Sequence, residues 1–171
     1  MLADLESYLF RRMVCSVSSN GLNKLVPSLI AKLESAEDDP AETFAALLLT
    51  ETAKATRMPT DKEFRQALLG ENLYRPASRC KYLLAGLENH NHPKDPRSFD
   101  EYTVEHIMPQ NAMAHAKWRD MLSDPGRFPL LVNSLGNLTL TAYNSELSDG
   151  TFEHKKNRAI GGIVANTCPF P

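Results

Sequence analysis

Apolar residues recur at three- and four-residue steps along the first half of the chain. One stripe runs from Leu22 to Leu33, and a second lies in the preceding segment, with Gly21 between them. Side chains three and four positions apart share one face of an α-helix, so each stripe predicts a helix with a buried face. The stripe residues are Leu5, Tyr8, Leu9, Met13, Leu22, Leu25, Val26, Leu29 and Leu33.

Polar residues predict where further helices begin. Asp39 is a suitable N-cap, and Pro40 follows at the first helical position, where its missing N–H is not needed. Thr60 and Glu63 have the spacing of a capping box, in which each side chain bonds to the backbone N–H of the other residue. A fifth helix is predicted over much of "PASRCKYLLAGLE".

The pattern changes after Asn89. "NHNHPKDPRSFDE" is rich in turn-forming residues and predicts a loop. "YTVEHI" and "LTLT" predict two short strands, separated by a helix over much of "AMAHAKWRDML". The expected fold class is therefore α+β and mainly α-helical. A helical subdomain is expected at residues 1–92 and a strand-containing subdomain at residues 93–171, together forming one compact unit.

The composition fits a globular protein that needs no covalent cross-links. The chain has 171 residues, of which 42% are hydrophobic, and it lacks the run of about 20 apolar residues that a membrane helix requires. Cys15, Cys80 and Cys168 are odd in number and form no CxxC pair, which argues against a disulfide framework and a cysteine-ligated zinc. A reducing, cytoplasmic setting is expected.

The formal net charge of −2 gives no overall attraction to nucleic acid, so any such binding would depend on local basic patches. Three groups are candidates, and the first two are interpreted as solvated helix faces. The groups are Arg11 with Arg12, then Arg75 with Arg79 and Lys81, and the "HKKNR" segment at residues 154–158.

Three residues in the second half suit phosphodiester hydrolysis, which needs a base to activate water and a cation to neutralise phosphate. His106 suits the base, since a neutral imidazole accepts a proton near neutral pH. Glu105 and the side-chain carbonyl of Asn144 are hard oxygen ligands appropriate for Mg²⁺. In a regular strand Glu105 and His106 would point to opposite faces, but Pro109 ends the strand and could let neighbours converge.

Each of these residues also has an ordinary structural explanation. A lone histidine after a strand is more often a hydrogen-bonded structural residue than a base. Asn137 follows Gly136 and suits a turn, because asparagine tolerates left-handed backbone and caps local N–H groups. Asn144 could be a helix N-cap.

The combination of motifs is more specific than its parts. "EHIMPQ", a Trp-bearing helix and "LGNLTLTAYNSELSDGTFEHKK" together resemble the C-terminal nuclease domain of the GmrSD family of modification-dependent restriction systems. Upstream segments, "LESYLFRRMVCSVSSNGLNKL" and "PTDKEFRQALLGENLY", resemble the helical region that precedes that domain. The similarity extends from about Leu5 to about Lys156. It implies a ββα-metal (His-Me) finger of the HNH type, packed with the helical region.

The resemblance also implies roles for individual residues. His106 matches the general base, and Asn137 matches the residue that braces the loop between the strands. Glu105 and Asn144 match metal ligands, for Mg²⁺ or Mn²⁺, with Asn144 as the third member of the catalytic triplet. Lys155 is expected to contact phosphate, and so is its neighbour Lys156. The cysteines of a structural zinc ribbon are missing, so no structural zinc is expected.

The implied activity is hydrolysis or nicking of DNA, modified DNA included, in a restriction system that defends against phage. The family's N-terminal NTP-binding domain, or a subunit carrying it, is the implied partner. Two alternatives stay open: a catalytically inactive nucleic-acid-binding or regulatory module of the same fold, and a ribonuclease of the same finger type. The tail "NRAIGGIVANTCPFP" departs from the helical ending that the family would predict.

Overall fold

The computed structural model describes residues 1–70, 72–90 and 92–159. The tail beyond residue 159, including Cys168, lies outside the described residues. Most of "NRAIGGIVANTCPFP", the segment expected to depart from a helical ending, therefore lies outside them too. The chain divides into two compact units, Met1–Glu71 and Asn72–Pro171. This division lies upstream of the subdomain boundary that the sequence suggested after residue 92.

The first unit consists of helices, as the apolar stripes predict. Its caps form as expected: the Asp39 carboxylate accepts hydrogen bonds from the N–H groups of Ala41 and Glu42, and Thr60 and Glu63 form the reciprocal capping box. The four helices are α1 (Leu2–Val14), α2 (Leu22–Glu34), α3 (Pro40–Thr50) and α4 (Asp61–Gly70).

The core of the first unit is made by α1, α2 and α3. Most of the predicted stripe is buried or packed against this core, whereas Leu9 and Val26 are 41% and 48% exposed because they lie at the edge of their stripes. The buried residues are Tyr8, Leu25, Leu29, Phe44 and Leu48.

Arg12 is buried in the first unit, although the sequence suggested a solvated helix face. Its guanidinium donates hydrogen bonds to the carbonyl oxygens of Ser18 at 2.6 Å, Ala55 at 2.8 Å and Arg57 at 3.1 Å. The side chain is 2% exposed and lies over the ring of Tyr8. A buried cation needs such partners, and here backbone carbonyls supply them.

The second unit combines short helices with one two-stranded antiparallel sheet, so the described fold is α+β and mostly helical, as the sequence indicates. Helix α5 contacts both strands and covers the sheet. The elements are α5 (Ala77–His90), β1 (Thr103–His106), α6 (Ala116–Met121), α7 (Phe128–Leu131), β2 (Leu138–Thr141), α8 (Asn144–Leu147) and α9 (Phe152–Ala159).

A small apolar cluster anchors the chain that follows β1. Met108, Ala112 and Trp118 are buried together, with half-buried side chains from α7 against them. Because Met108 lies two residues after His106, this cluster fixes the point at which the chain leaves the strand. Within the described residues, no helix is long and apolar enough to cross a membrane.

Candidate functional site

The register of the two strands brings His106 close to Asn137. His106 pairs with Leu138 at the end of β1, and Asn137 immediately precedes β2. The N–H of Ile107 donates to the carbonyl oxygen of Asn137 at 2.9 Å, which extends the pairing one step past the strand. Two residues that are 31 positions apart in sequence therefore meet at one end of the sheet.

The side chain of Asn137 holds the chain segment after β1. Its Oδ1 atom accepts from the N–H of Met108 at 2.7 Å, and its Nδ2 atom donates to the carbonyls of Met108 at 2.9 Å and Val132 at 2.8 Å. The residue is 8% exposed, so these bonds are shielded from water. These hydrogen bonds hold the segment after β1 against the segment that precedes β2, although the two are distant in sequence.

His106 is nearly buried, at 8% exposure, and three polar or aromatic side chains surround its ring. Its Nε2 atom lies 3.0 Å from the Oδ1 atom of Asn133 and 3.4 Å from the Nε2 atom of Gln110. The ring centroid of Tyr74 lies 4.5 Å away in an edge-on arrangement. The imidazole is thus held from several sides.

Glu105 forms a buried ion pair with Lys155. The Nζ atom of Lys155 donates to Oε1 of Glu105 at 2.6 Å and to the carbonyl oxygen of His106 at 2.8 Å. Both side chains are less than a tenth exposed. Lys155 therefore ties α9 to the end of β1, whereas Lys156 is exposed to solvent.

Asn144 bonds to β1 and not to its own helix. Its Nδ2 atom donates to Oγ1 of Thr103 at 3.1 Å and to the carbonyl oxygen of Val104 at 3.2 Å. Thr103 and Glu105 lie two residues apart on the strand, so their side chains share one face. Asn144 and Lys155 thus meet β1 on the face that carries Glu105.

The model of the C-terminal domain of GmrSD restriction endonucleases matches residues 58–164, more than half of the 171-residue chain. The chain belongs to this family. The resemblance noted from the sequence motifs is thereby confirmed. No curated protein and no solved structure matches the chain.

Membership of the GmrSD family makes this chain a relative of restriction endonucleases, whose substrate is DNA. The matched range includes both strands, α5 and all the predicted site residues. The first three helices of the chain precede the matched range.

Strand alternation places the predicted site residues of this GmrSD domain on two faces of the sheet. Glu105 lies on the face with Asn144 and Lys155, and the His106 ring lies on the other with Tyr74 and Asn133. The structure brings Asn137 to the segment after His106, and it brings Asn144 and Lys155 to Glu105. It does not bring the His106 ring to the carboxylate of Glu105.

The donor set suits a hard divalent ion that keeps most of its water. Within the described part of the chain, Oε2 of Glu105 and Oδ1 of Asn144 have no hydrogen-bond partner, and both are oxygen ligands. No group of three or more His, Cys, Asp or Glu side chains forms a metal cluster among the described residues. Mg²⁺ commonly takes one or two protein oxygens and retains several waters, so these two residues fit it.

Two side chains that contact His106 were not predicted from the sequence to belong to the site. Asn133 lies in the turn before β2, two residues upstream of "LGNLTL", and Tyr74 is the last residue of the upstream segment "PTDKEFRQALLGENLY". Neither position carries a local signal, since a turn asparagine and a helix-flanking tyrosine are common. Only the folded chain brings both to the imidazole.

Proposed function

We propose that this chain is the divalent-metal-dependent endonuclease or nicking domain of a GmrSD-type restriction system acting against phage DNA. The observation that carries the proposal is the placement of His106 at the end of β1, next to a chain segment braced by Asn137. In a member of a restriction endonuclease family, this arrangement suits a base held rigidly for attack on phosphate.

His106 acts as the general base in this proposal. With Oδ1 of Asn133, the nearer of its two amide contacts, as the acceptor, Nε2 would carry the proton and Nδ1 would accept a proton from water. The activated water attacks the phosphorus in line, and the 3′-oxygen leaves. Asn137 assists by fixing the backbone that follows the histidine.

Glu105 and Asn144 are the residues that would hold Mg²⁺ or Mn²⁺, through Oε2 and Oδ1. The ion would neutralise the scissile phosphate and stabilise the leaving oxygen. Because the Glu105 carboxylate and the His106 ring lie on opposite faces of β1, the proposal requires the phosphate to lie across the end of the strand, within reach of both. Lys155 keeps Oε1 of Glu105 engaged, which orients the carboxylate. Lys155 and Lys156 then differ in role: only Lys156 is exposed and able to meet a DNA phosphate directly.

The proposed substrate is DNA, modified DNA included, and the proposed partner is the NTP-binding domain or subunit of the same system. No separate zinc site is part of the proposal. These assignments rest on the family and not on a particular contact.

The decisive experiment is plasmid cleavage by His106→Ala. We expect the wild type to nick supercoiled DNA with Mg²⁺ or Mn²⁺ and to stop with EDTA, and we expect His106→Ala to lose at least roughly 100-fold in rate. His92→Ala is the matched control, because His92 is exposed in the loop before β1. Cleavage by His106→Ala at the wild-type rate would refute the assignment.

The ion pair between Lys155 and Glu105 favours a second candidate function. In that function the chain is a nucleic-acid-binding or regulatory module without catalysis. A cation already paired with this carboxylate opposes the binding of a second one. Titration with Mg²⁺ or Mn²⁺ during thermal unfolding separates the two functions. A metal site raises the melting temperature with metal concentration, whereas the regulatory module shows no shift. Parallel assays on RNA and DNA test the ribonuclease alternative.

A further inference from the structure

An open cleft lies at the start of α5. It has a volume of about 500 Å³ and is lined by Tyr74, Arg75, Pro76 and Ala77. Tyr74 lines the cleft and also contacts the His106 ring, with the two ring centroids 4.5 Å apart. A group bound against Tyr74 would therefore be separated from the proposed general base by one aromatic ring.

The wall of this cleft is tied to the segment that holds His106. The N–H of Leu73 donates to the carbonyl oxygen of Asn133 at 3.2 Å, and the side chain of the same Asn133 contacts His106. The chain just before Tyr74 is thus bonded to the turn that carries Asn133, and Tyr74 itself contacts the imidazole. A base placed against Tyr74 would therefore be placed relative to His106 as well.

The chemistry of the wall matches one nucleotide of a DNA strand. Arg75 is exposed and has no ion pair or hydrogen bond among the described residues, so its guanidinium can bind a phosphate. Tyr74 is half-buried and offers an aromatic surface for a base. The cleft is open to solvent, so one nucleotide of a longer strand could enter it without being enclosed.

We propose that this cleft binds a nucleotide of the DNA substrate flanking the scissile phosphate, with Arg75 on a backbone phosphate and Tyr74 against a base. The inference rests on the proposed nuclease function, and it gives the function a substrate-positioning site that the catalytic motif does not contain. Arg75, which the sequence alone assigned to a solvated helix face, becomes a DNA contact.

Equilibrium binding without cleavage tests the cleft. The full chain is titrated in EDTA against a short fluorescein-labelled DNA duplex with a single-stranded overhang, whose unpaired bases are free to stack, over a series of salt concentrations. We expect Arg75→Gln to weaken binding and to lower the slope of log affinity against log salt by about one, because one phosphate contact is lost. Tyr74→Leu should weaken binding roughly tenfold with the slope unchanged, and Tyr74→Phe should retain affinity.

Controls keep the outcome specific. Arg127→Gln removes the same charge from an exposed turn elsewhere in the second unit and should leave binding unchanged. Melting temperatures confirm that each variant is folded. Two results would overturn the proposal that the cleft binds a nucleotide. In the first, the folded Arg75→Gln and Tyr74→Leu variants keep the wild-type affinity and salt slope. In the second, the wild-type chain does not bind the duplex. The nuclease function is tested separately by cleavage. It fails if His106→Ala cleaves DNA at the wild-type rate.

Discussion

The Nε2 atom of His106 lies 3.0 Å from the Oδ1 atom of Asn133, and the amide nitrogen of Gln110 lies 3.4 Å from the same ring atom. An amide oxygen accepts and an amide nitrogen donates, so the two contacts favour opposite tautomers of the imidazole. We assign the proton to Nε2, because the contact with the Asn133 oxygen is the shorter of the two. Under this assignment Asn133, which lies outside the recognised motif, sets which nitrogen of His106 can accept a proton.

Replacing Asn133 should alter the tautomer of His106. In Asn133→Ala the ring loses its acceptor, and we expect a mixture of tautomers in nitrogen NMR spectra of the metal-free protein. Cleavage should fall by roughly 10- to 100-fold in kcat, the range seen when an orienting partner is removed. Asn133→Asp keeps an acceptor and should restore the Nε2-protonated form. An unchanged tautomer in Asn133→Ala would contradict this role whatever the activity.

Lys155 should be structurally essential and its neighbour should not. Lys155→Ala leaves the carboxylate of Glu105 buried and unpaired, which costs roughly 3–5 kcal/mol in the free energy of unfolding. Lys156→Ala removes an exposed lysine and should change this free energy by less than about 0.5 kcal/mol. Urea unfolding followed by Trp118 fluorescence reports on the second unit, because Trp118 is the only tryptophan and lies in its core. Equal effects of the two variants would refute the ion pair.

Arg12 should stabilise the first unit through its three carbonyl partners. Arg12→Ala leaves those buried oxygens without a donor, and we expect a loss of roughly 3 kcal/mol. Arg65→Ala, on the exposed face of α4, is the matched control and should be nearly neutral. Helix content followed by circular dichroism during urea unfolding measures both. A neutral Arg12→Ala would mean that the guanidinium is solvated, as the sequence pattern suggested.

Glu63 should make the first unit sensitive to acid. Hydrogen bonds from Arg57, and then from the backbone and side chain of Thr60, lower the pKa of Glu63 from 4.5 to about 2. Because the folded-state pKa lies below the unfolded value, the stabilisation is complete above pH 4.5 and is lost as the pH falls towards about 2. The difference in melting temperature between wild type and Glu63→Gln should shrink over that interval. A constant difference would contradict the linkage.

The local elements of this protein could be predicted from sequence because their signals are local. The capping residues Asp39 and Thr60 bond as the spacing indicates, and both strands form where they are predicted, β1 in the β-branched "YTVEHI" and β2 where leucine alternates with threonine. Leu138 and Leu140 are buried as that alternation requires. The family was identified from the resemblance of the quoted motifs, and the match at residues 58–164 confirms it.

The contacts between distant segments could not be predicted in this way. Arg12 appears as a surface residue in the helical pattern, but the fold brings three backbone carbonyls to it and buries it. Lys155 appears as a free basic residue, but α9 carries it to the buried carboxylate of Glu105. In both cases the burial of a charge depends on partners that are distant in the chain.

The sequence by itself determined the helices, the two strands, the GmrSD family and the candidate residues His106, Asn137 and Asn144. The helices and strands follow from periodicity and capping, which act over a few residues, whereas the family and the role of Asn137 come from the resemblance of the quoted motifs to GmrSD domains. The tertiary structure decided which partners each candidate meets: Asn133 and Tyr74 for the imidazole, Lys155 for Glu105, and β1 for Asn144. The reason is that hydrogen bonds and ion pairs require distances near 3 Å, and only packing sets such distances between residues far apart in sequence.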